Sequence, residues 1–200
     1  MTDYFALLDE PRRPWLDPDA VKKKFLERSA TTHPDRSQAA SATERDAASR
    51  RYAELNAAYN CLRDPKERLR HLVELERGRK HADLQEIPAD LAELFVEVAC
   101  ASREAHSFLA DRARIQSALL RAQLFEQGQA LAERLTAIQG GIARRRDELL
   151  SRLRSLDIAW ATGSVPRAKL LEELEIIYRL LAFFARWTSQ LQEQLVCLAL

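Results

Sequence analysis

The sequence is poor in glycine, with five in 200 residues. Scarce glycine starves the tight turns of β-hairpins, while abundant Ala, Leu, Arg and Glu favour helix. Cysteine is scarcer still: Cys61, Cys100 and Cys197 lie far apart, an odd number with no CxxC pair. This excludes a disulfide framework and the close-spaced ligand pairs of structural zinc. The three are expected as buried small apolar side chains in a reducing compartment. An excess of either charge is lacking too, with 31 Lys and Arg against 30 Asp and Glu. A net charge near zero offers no bulk attraction to nucleic acid or to an anionic membrane, so charge-based recognition must be local. The longest apolar run, Leu180 to Ala185, is far too short to span a bilayer. Asp3, Asp9 and Glu10 interrupt the first apolar stretch, so no secretory signal is expected and a cytoplasmic location is the default.

Enzyme signatures are also missing. Gly140-Gly141 is neither followed by Lys-Ser/Thr nor preceded by a strand, so there is no phosphate loop. His33, His71, His81 and His106 form no i, i+4 metal pair, and HExxH does not occur. Asp and Glu are scattered along charged helical faces, indistinguishable from solvated surface. No catalytic residue, no metal and no cofactor is therefore expected of this chain. A binding or regulatory protein is the expectation.

What is present is helical periodicity. Asp17-Pro18 sets a capping carboxylate before a proline at the first helical position. Val21 and Phe25 form an apolar i, i+4 pair with Ser29 next on that face, while Lys22, Lys23, Lys24 and Arg28 occupy much of the remainder. Thr31, Thr32 and Pro34 end that helix, because proline disfavours helical geometry in the residue before it. Ser41 and Glu44 have capping-box spacing and open a helix to about Arg63, with Tyr52, Leu55, Tyr59 and Leu62 as its core stripe. Asp64-Pro65-Lys66-Glu67 repeats the cap pattern, and Gly78 closes that helix as a C-cap.

Residues 79–88 mix charge, His81 and a proline, and form the expected linker between residues 1–78 and 89–200. Three helical blocks follow: about 89–111, about 115–156 with a weak point at Gly140-Gly141, and about 167–197. Brief turns between long helices argue for an antiparallel three-helix bundle. Core positions shared with a second molecule are the alternative, so both monomer and dimer stay open.

A short apolar segment (Tyr4-Phe5-Ala6-Leu7-Leu8), the basic helix, His33-Pro34-Asp35, a polar gap and the Tyr52–Leu62 helix follow in that order. Together they resemble the J-domain of DnaJ-class co-chaperones. The resemblance implies that His33, Pro34 and Asp35, with the basic helix bearing Lys22, Lys23 and Arg28, engage a heat-shock chaperone and stimulate its ATPase. In such a loop Pro34 restricts the backbone, His33 offers ring nitrogens, and Asp35 supplies an anion for an arginine. Nucleic-acid binding would want more basic surface interleaved with aromatics, and here only Phe25 lies in the run.

The likeness narrows further. Asp3-Tyr4-Phe5 with Leu7-Leu8, Leu55-Asn56-Ala57-Ala58-Tyr59, Leu62-Arg63-Asp64-Pro65 and the Arg68–Leu75 segment are similar to HscB-type co-chaperones of iron–sulfur cluster assembly. Trp160 and the Leu-rich final helix also have counterparts there. This implies an all-α protein in which an N-terminal J-domain helical hairpin precedes a C-terminal bundle. The implied partners are a DnaK/HscA-class ATPase and an IscU-like scaffold. Ile87-Pro88, Leu91, Glu93 and Phe95 resemble the start of the scaffold-binding helix. The family commonly places Met and Glu where Ala92, Val96 and Ala99 stand here. Thr32 replaces an aromatic before the histidine, and Arg36 replaces a lysine while keeping its charge. Two other readings stand beside this one: a J-domain adaptor for a different client, and a structural helical protein with a fortuitous tripeptide.

Overall fold

The computed structural model describes residues 2–32, 42–79, 88–115 and 117–199. Their regular structure is helical: α1 (Tyr4–Leu7), α2 (Pro18–Thr32), α3 (Ala42–Arg63), α4 (Pro65–Arg77), a 3₁₀ turn (Ala89–Leu91), α5 (Ala92–Arg114), α6 (Ala118–Thr162) and α7 (Arg167–Ala199). Of the expected linker, 79–88, residues 80–87 lie outside the described residues. Two compact units form. One joins Met1–Ala82 to Leu150–Tyr178, and the other joins Asp83–Leu149 to Arg179–Leu200.

In the first unit α3 packs against α1, α2 and α4. Phe5, Leu8, Val21, Leu55, Ala58, Leu62, Leu69 and Leu72 are buried there. The helix ends follow local chemistry. Asp64 caps α4 by accepting from the Glu67 N–H at 3.0 Å, Pro65 takes the first position, and Gly78 closes it at φ 66°. That left-handed geometry costs glycine nothing. Asp3 caps α1 through the N–H groups of Phe5 and Ala6 and also holds Arg12 at 2.8 Å. Burial pushes its carboxyl up, but Arg12 and the backbone N–H of Ala6 outweigh this and hold it below its usual value.

Residues 150–178 complete this unit through polar contacts from distant sequence. Asp157, 4 % exposed, accepts from Nε and Nη2 of Arg13 and from the Trp15 N–H. Trp160 Nε1 donates to the Arg12 carbonyl at 2.8 Å, and the Arg167 guanidinium lies 3.5 Å from the Trp160 ring centroid. Arg68 is buried and donates to the carbonyls of Pro14 and Leu62. Burial pushes its pKa down to about 10, which leaves it cationic at neutral pH. A buried cation is tolerated only when its donors are used, and these two bonds tie the segment before α2 and the end of α3 to the start of α4.

His71 joins α4 to α1. Its Nε2 accepts from the Tyr4 N–H at 3.1 Å, and its ring stacks on Phe5 at 5.8 Å. Burial pushes the ring below its ordinary value of 6.5, with Asp3 and Glu74 pulling the other way. The folded chain therefore takes up this proton less readily than the unfolded chain. The stabilisation is complete above about pH 6.5 and is lost as pH falls through the lower folded value. Denaturant unfolding at stepped pH is expected to show that loss, and His71→Phe is expected to flatten it, because the stack remains but the acceptor does not.

The second unit is a three-helix bundle. Leu91, Leu94, Val98, Ala101 and Ala105 from the start of the bundle meet Leu131, Leu135, Ile138 and Ile142 of α6 and Phe183, Phe184, Trp187 and Leu191 of α7. Its register follows from paired contacts. Phe95 lies near Trp187, Ser102 near Gln190, and Arg112 near the carbonyls of Cys197 and Leu198, so α5 and α7 run parallel. Gln139 reaches Thr188 while Leu124 lines a cavity with Leu198, so α6 runs against α7.

Two expectations need correcting. The helix does not break at Gly140-Gly141: α6 runs unbroken from Ala118 to Thr162. Two glycines cost roughly 2 kcal/mol against alanine, but burying Ile138 and Ile142 on either side returns about that for each residue. Nor are all three cysteines buried. Cys61 is, and burial pushes its thiol up to about 12, whereas Cys100 is half-buried and Cys197 is exposed. Position 197 lies off the stripe Trp187, Leu191, Gln194 by which α7 faces the core.

Candidate functional site

The basic helix α2 is fastened by one side and presents the other. Val21 is fully buried, and Phe25 stacks on Tyr59 of α3 with ring centroids 4.4 Å apart. Ser29, next along this face, is buried and donates to the Leu26 carbonyl. The i, i+4 spacing of Val21, Phe25 and Ser29 thus becomes the packed face, as helical geometry requires.

The cations divide into two pairs. Lys24 Nζ bonds the Asp9 carbonyl and lies 3.2 Å from Glu10, and Arg28 approaches Asp9 at 3.8 Å. Asp9 can meet both because it adopts φ 57° in the turn after α1, a geometry that aspartate tolerates better than most residues. These two side chains bind α2 to its own unit. Lys22 and Lys23 are exposed and make no ion pair with the described residues. With Arg28, which is exposed too, they are the outward basic charge of the helix. Of the other residues expected here, His33, Pro34 and Asp35 lie outside the described residues and follow directly on Thr32, the last residue of α2.

The second expected surface separates into core and exposed residues. Leu91 is 2 % exposed and belongs with Leu94, Val98, Ala101 and Ala105 to the stripe that builds the bundle core. Glu93 is exposed, Phe95 is 40 % exposed and Val96 more so. The Phe95 ring lies 6.4 Å from that of Trp187, which in turn meets Phe183 and Phe184. Phe95 is therefore the outer member of an aromatic cluster whose other members are buried. Leu91 holds the helix from beneath, and Glu93, Phe95 and Val96 form the available surface.

Sequence reading passed over Leu26, an exposed leucine on the outward face of α2. Its signal was available: it stands one residue off the Val21–Phe25–Ser29 stripe. Among the described residues, no three His, Cys, Asp or Glu side chains gather as a metal site would, and no helix is long and apolar enough to cross a membrane.

The DnaJ domain family model matches residues 3–71, the stretch that carries α1 to α3 and the start of α4. The chain is a J-domain protein. A Bordetella pertussis protein, co-chaperone protein HscB homolog, is 36% identical over 130 residues, which cover 60% of this chain and 74% of that one. Chaperone HscB from Vibrio cholerae shares the fold with a TM-score of 0.54 at 22% identity, covering 95% of this chain and 99% of that chain. Human co-chaperone protein HscB gives a TM-score of 0.57 at 19% identity, covering 98% and 81%. The chain belongs to the HscB co-chaperone family.

Proposed function

We propose that this protein stimulates ATP hydrolysis by a DnaK-class chaperone and delivers to it an IscU-like iron–sulfur scaffold. The observation that carries the reading is the division of charge on α2. Lys24 and Arg28 are held by Asp9 and Glu10, while Lys22 and Lys23 face outward on the helix that leads into His33-Pro34-Asp35. Such a face suits an acidic patch on the chaperone, where charge complementarity speeds encounter and fixes orientation. Docking then favours the chaperone conformation that hydrolyses ATP. The chain performs no bond chemistry and acts only through its different affinity for the two conformations.

Glu93, Phe95 and Val96 are the surface on which the scaffold is proposed to sit. A partly exposed aromatic over a packed aromatic cluster has the character of an interface anchor. Phe95→Ala is expected to weaken scaffold binding about tenfold, a cost typical of losing one such anchor. Titration of the scaffold against this chain, followed by calorimetry, checks it. Exposed Ala92 and Val96, standing where the family carries Met and Glu, support one second reading: a J-domain adaptor for another client. Chaperone stimulation without any scaffold binding would select the adaptor. Scaffold binding that raises the stimulated rate selects cluster assembly.

A further inference from the structure

Leu26 gives the outward face of α2 a feature that charge alone does not explain. Four residues before it stands Lys22, three before it Lys23, and four after it Ala30, all exposed. Residues at those spacings are neighbours on a helix surface, so the leucine lies between the two outward lysines on the side leading toward His33. Leu26 is 54 % exposed, on the flank of the packed face that Val21, Phe25 and Ser29 form. An isolated exposed leucine is ordinary on a protein surface. One flanked by two outward lysines, on the helix that ends beside the tripeptide, has the arrangement of an interface anchor: an apolar side chain set against local positive charge.

We propose that Leu26 is the specificity anchor of the chaperone-docking face, inserting into an apolar recess within the acidic surface that Lys22 and Lys23 meet. This deepens the function proposed above and rests on it. The occupant is the chaperone ATPase because the flanking side chains are cationic, and the chemistry that complements them is an acidic surface with an aliphatic pocket. The two components do different work. The flanking lysines govern encounter and its salt dependence, whereas burial of an aliphatic side chain is insensitive to screening and acts on the lifetime of the complex.

Single-turnover ATP hydrolysis by a purified DnaK-class chaperone, with the full chain titrated at low and high salt, separates these contributions. Leu26→Ala is expected to raise the half-maximal concentration about five- to tenfold by the same factor at both salt concentrations. The effect of Lys22→Ala with Lys23→Ala is expected to shrink as salt rises. Leu26→Met, which keeps the apolar volume, is expected to restore the parent value, and the unfolding midpoint of each variant is expected to stay at that of the parent. An unchanged half-maximal concentration for Leu26→Ala would overturn the assignment, as would a loss that vanishes at high salt or that Met fails to rescue. Absence of stimulation by the parent chain would instead overturn the proposed function, and this assignment with it.

Discussion

Arg13→Ala is expected to destabilise the protein by about 3 kcal/mol, more than removal of most partly exposed arginines. The asymmetry of burial gives the reason. The Arg13 side chain is 38 % exposed, whereas that of Asp157 is 5 % exposed. Without Arg13, a buried carboxylate loses its ion-pair partner and keeps the Trp15 N–H, with the buried Arg68 acting on it only through space. Removing one member of a buried pair costs far more than the pair is worth, because the remaining charge is stranded. Asp157→Asn keeps an acceptor for Trp15 and lets Arg13 turn to water, losing only the through-space attraction to Arg68, so its cost is about 1 kcal/mol. The double variant Arg13→Ala, Asp157→Asn is expected to be more stable than the sum of the single losses allows. Thermal unfolding reads this directly: about 3 kcal/mol corresponds to a fall of roughly 6–12 °C in Tm for a chain of this size. Equal, small losses for Arg13→Ala and Asp157→Asn would show that the pair is not buried as described.

His33→Gln carries the second large effect: loss of chaperone stimulation with folding intact. Glutamine keeps a polar side chain of similar reach but not the aromatic imidazole with its two ring nitrogens. The residue follows a helix already fixed by Val21, by the Phe25–Tyr59 stack and by the ties from Lys24 and Arg28 to the turn after α1. None of these contacts uses position 33, so the unfolding midpoint is expected to stay where it is. A loss of function without a loss of stability is the mark of a residue that works on a partner.

Much of this was legible from local chemistry. Asp64-Pro65 and Gly78 bound α4 as their capping properties require, and the Val21–Phe25–Ser29 spacing correctly separated the packed face of α2 from its basic one. The rest depended on distance along the chain. Arg13 and Asp157 are 144 residues apart, and each reads alone as an ordinary surface charge; only the fold makes them a buried pair. Gly140-Gly141 misled because propensity is local while the burial of Ile138 and Ile142 is tertiary. Leu91 is instructive in the other direction. Family likeness grouped it with Phe95 as client surface, yet its spacing to Leu94 and Val98 already placed it on the core stripe. Leu26 shows what periodicity leaves open: a residue off the stripe is exposed, but what meets it is a matter for the partner.

Whether the end of α2 drives a chaperone ATPase is read from a rate. Single-turnover hydrolysis of chaperone-bound ATP, with and without the full chain, tests it most directly when parent and His33→Gln are compared at matched concentration. A many-fold acceleration by the parent is expected, with the chaperone's basal rate for the equally stable variant. Equal acceleration by both, or none by either, would contradict it.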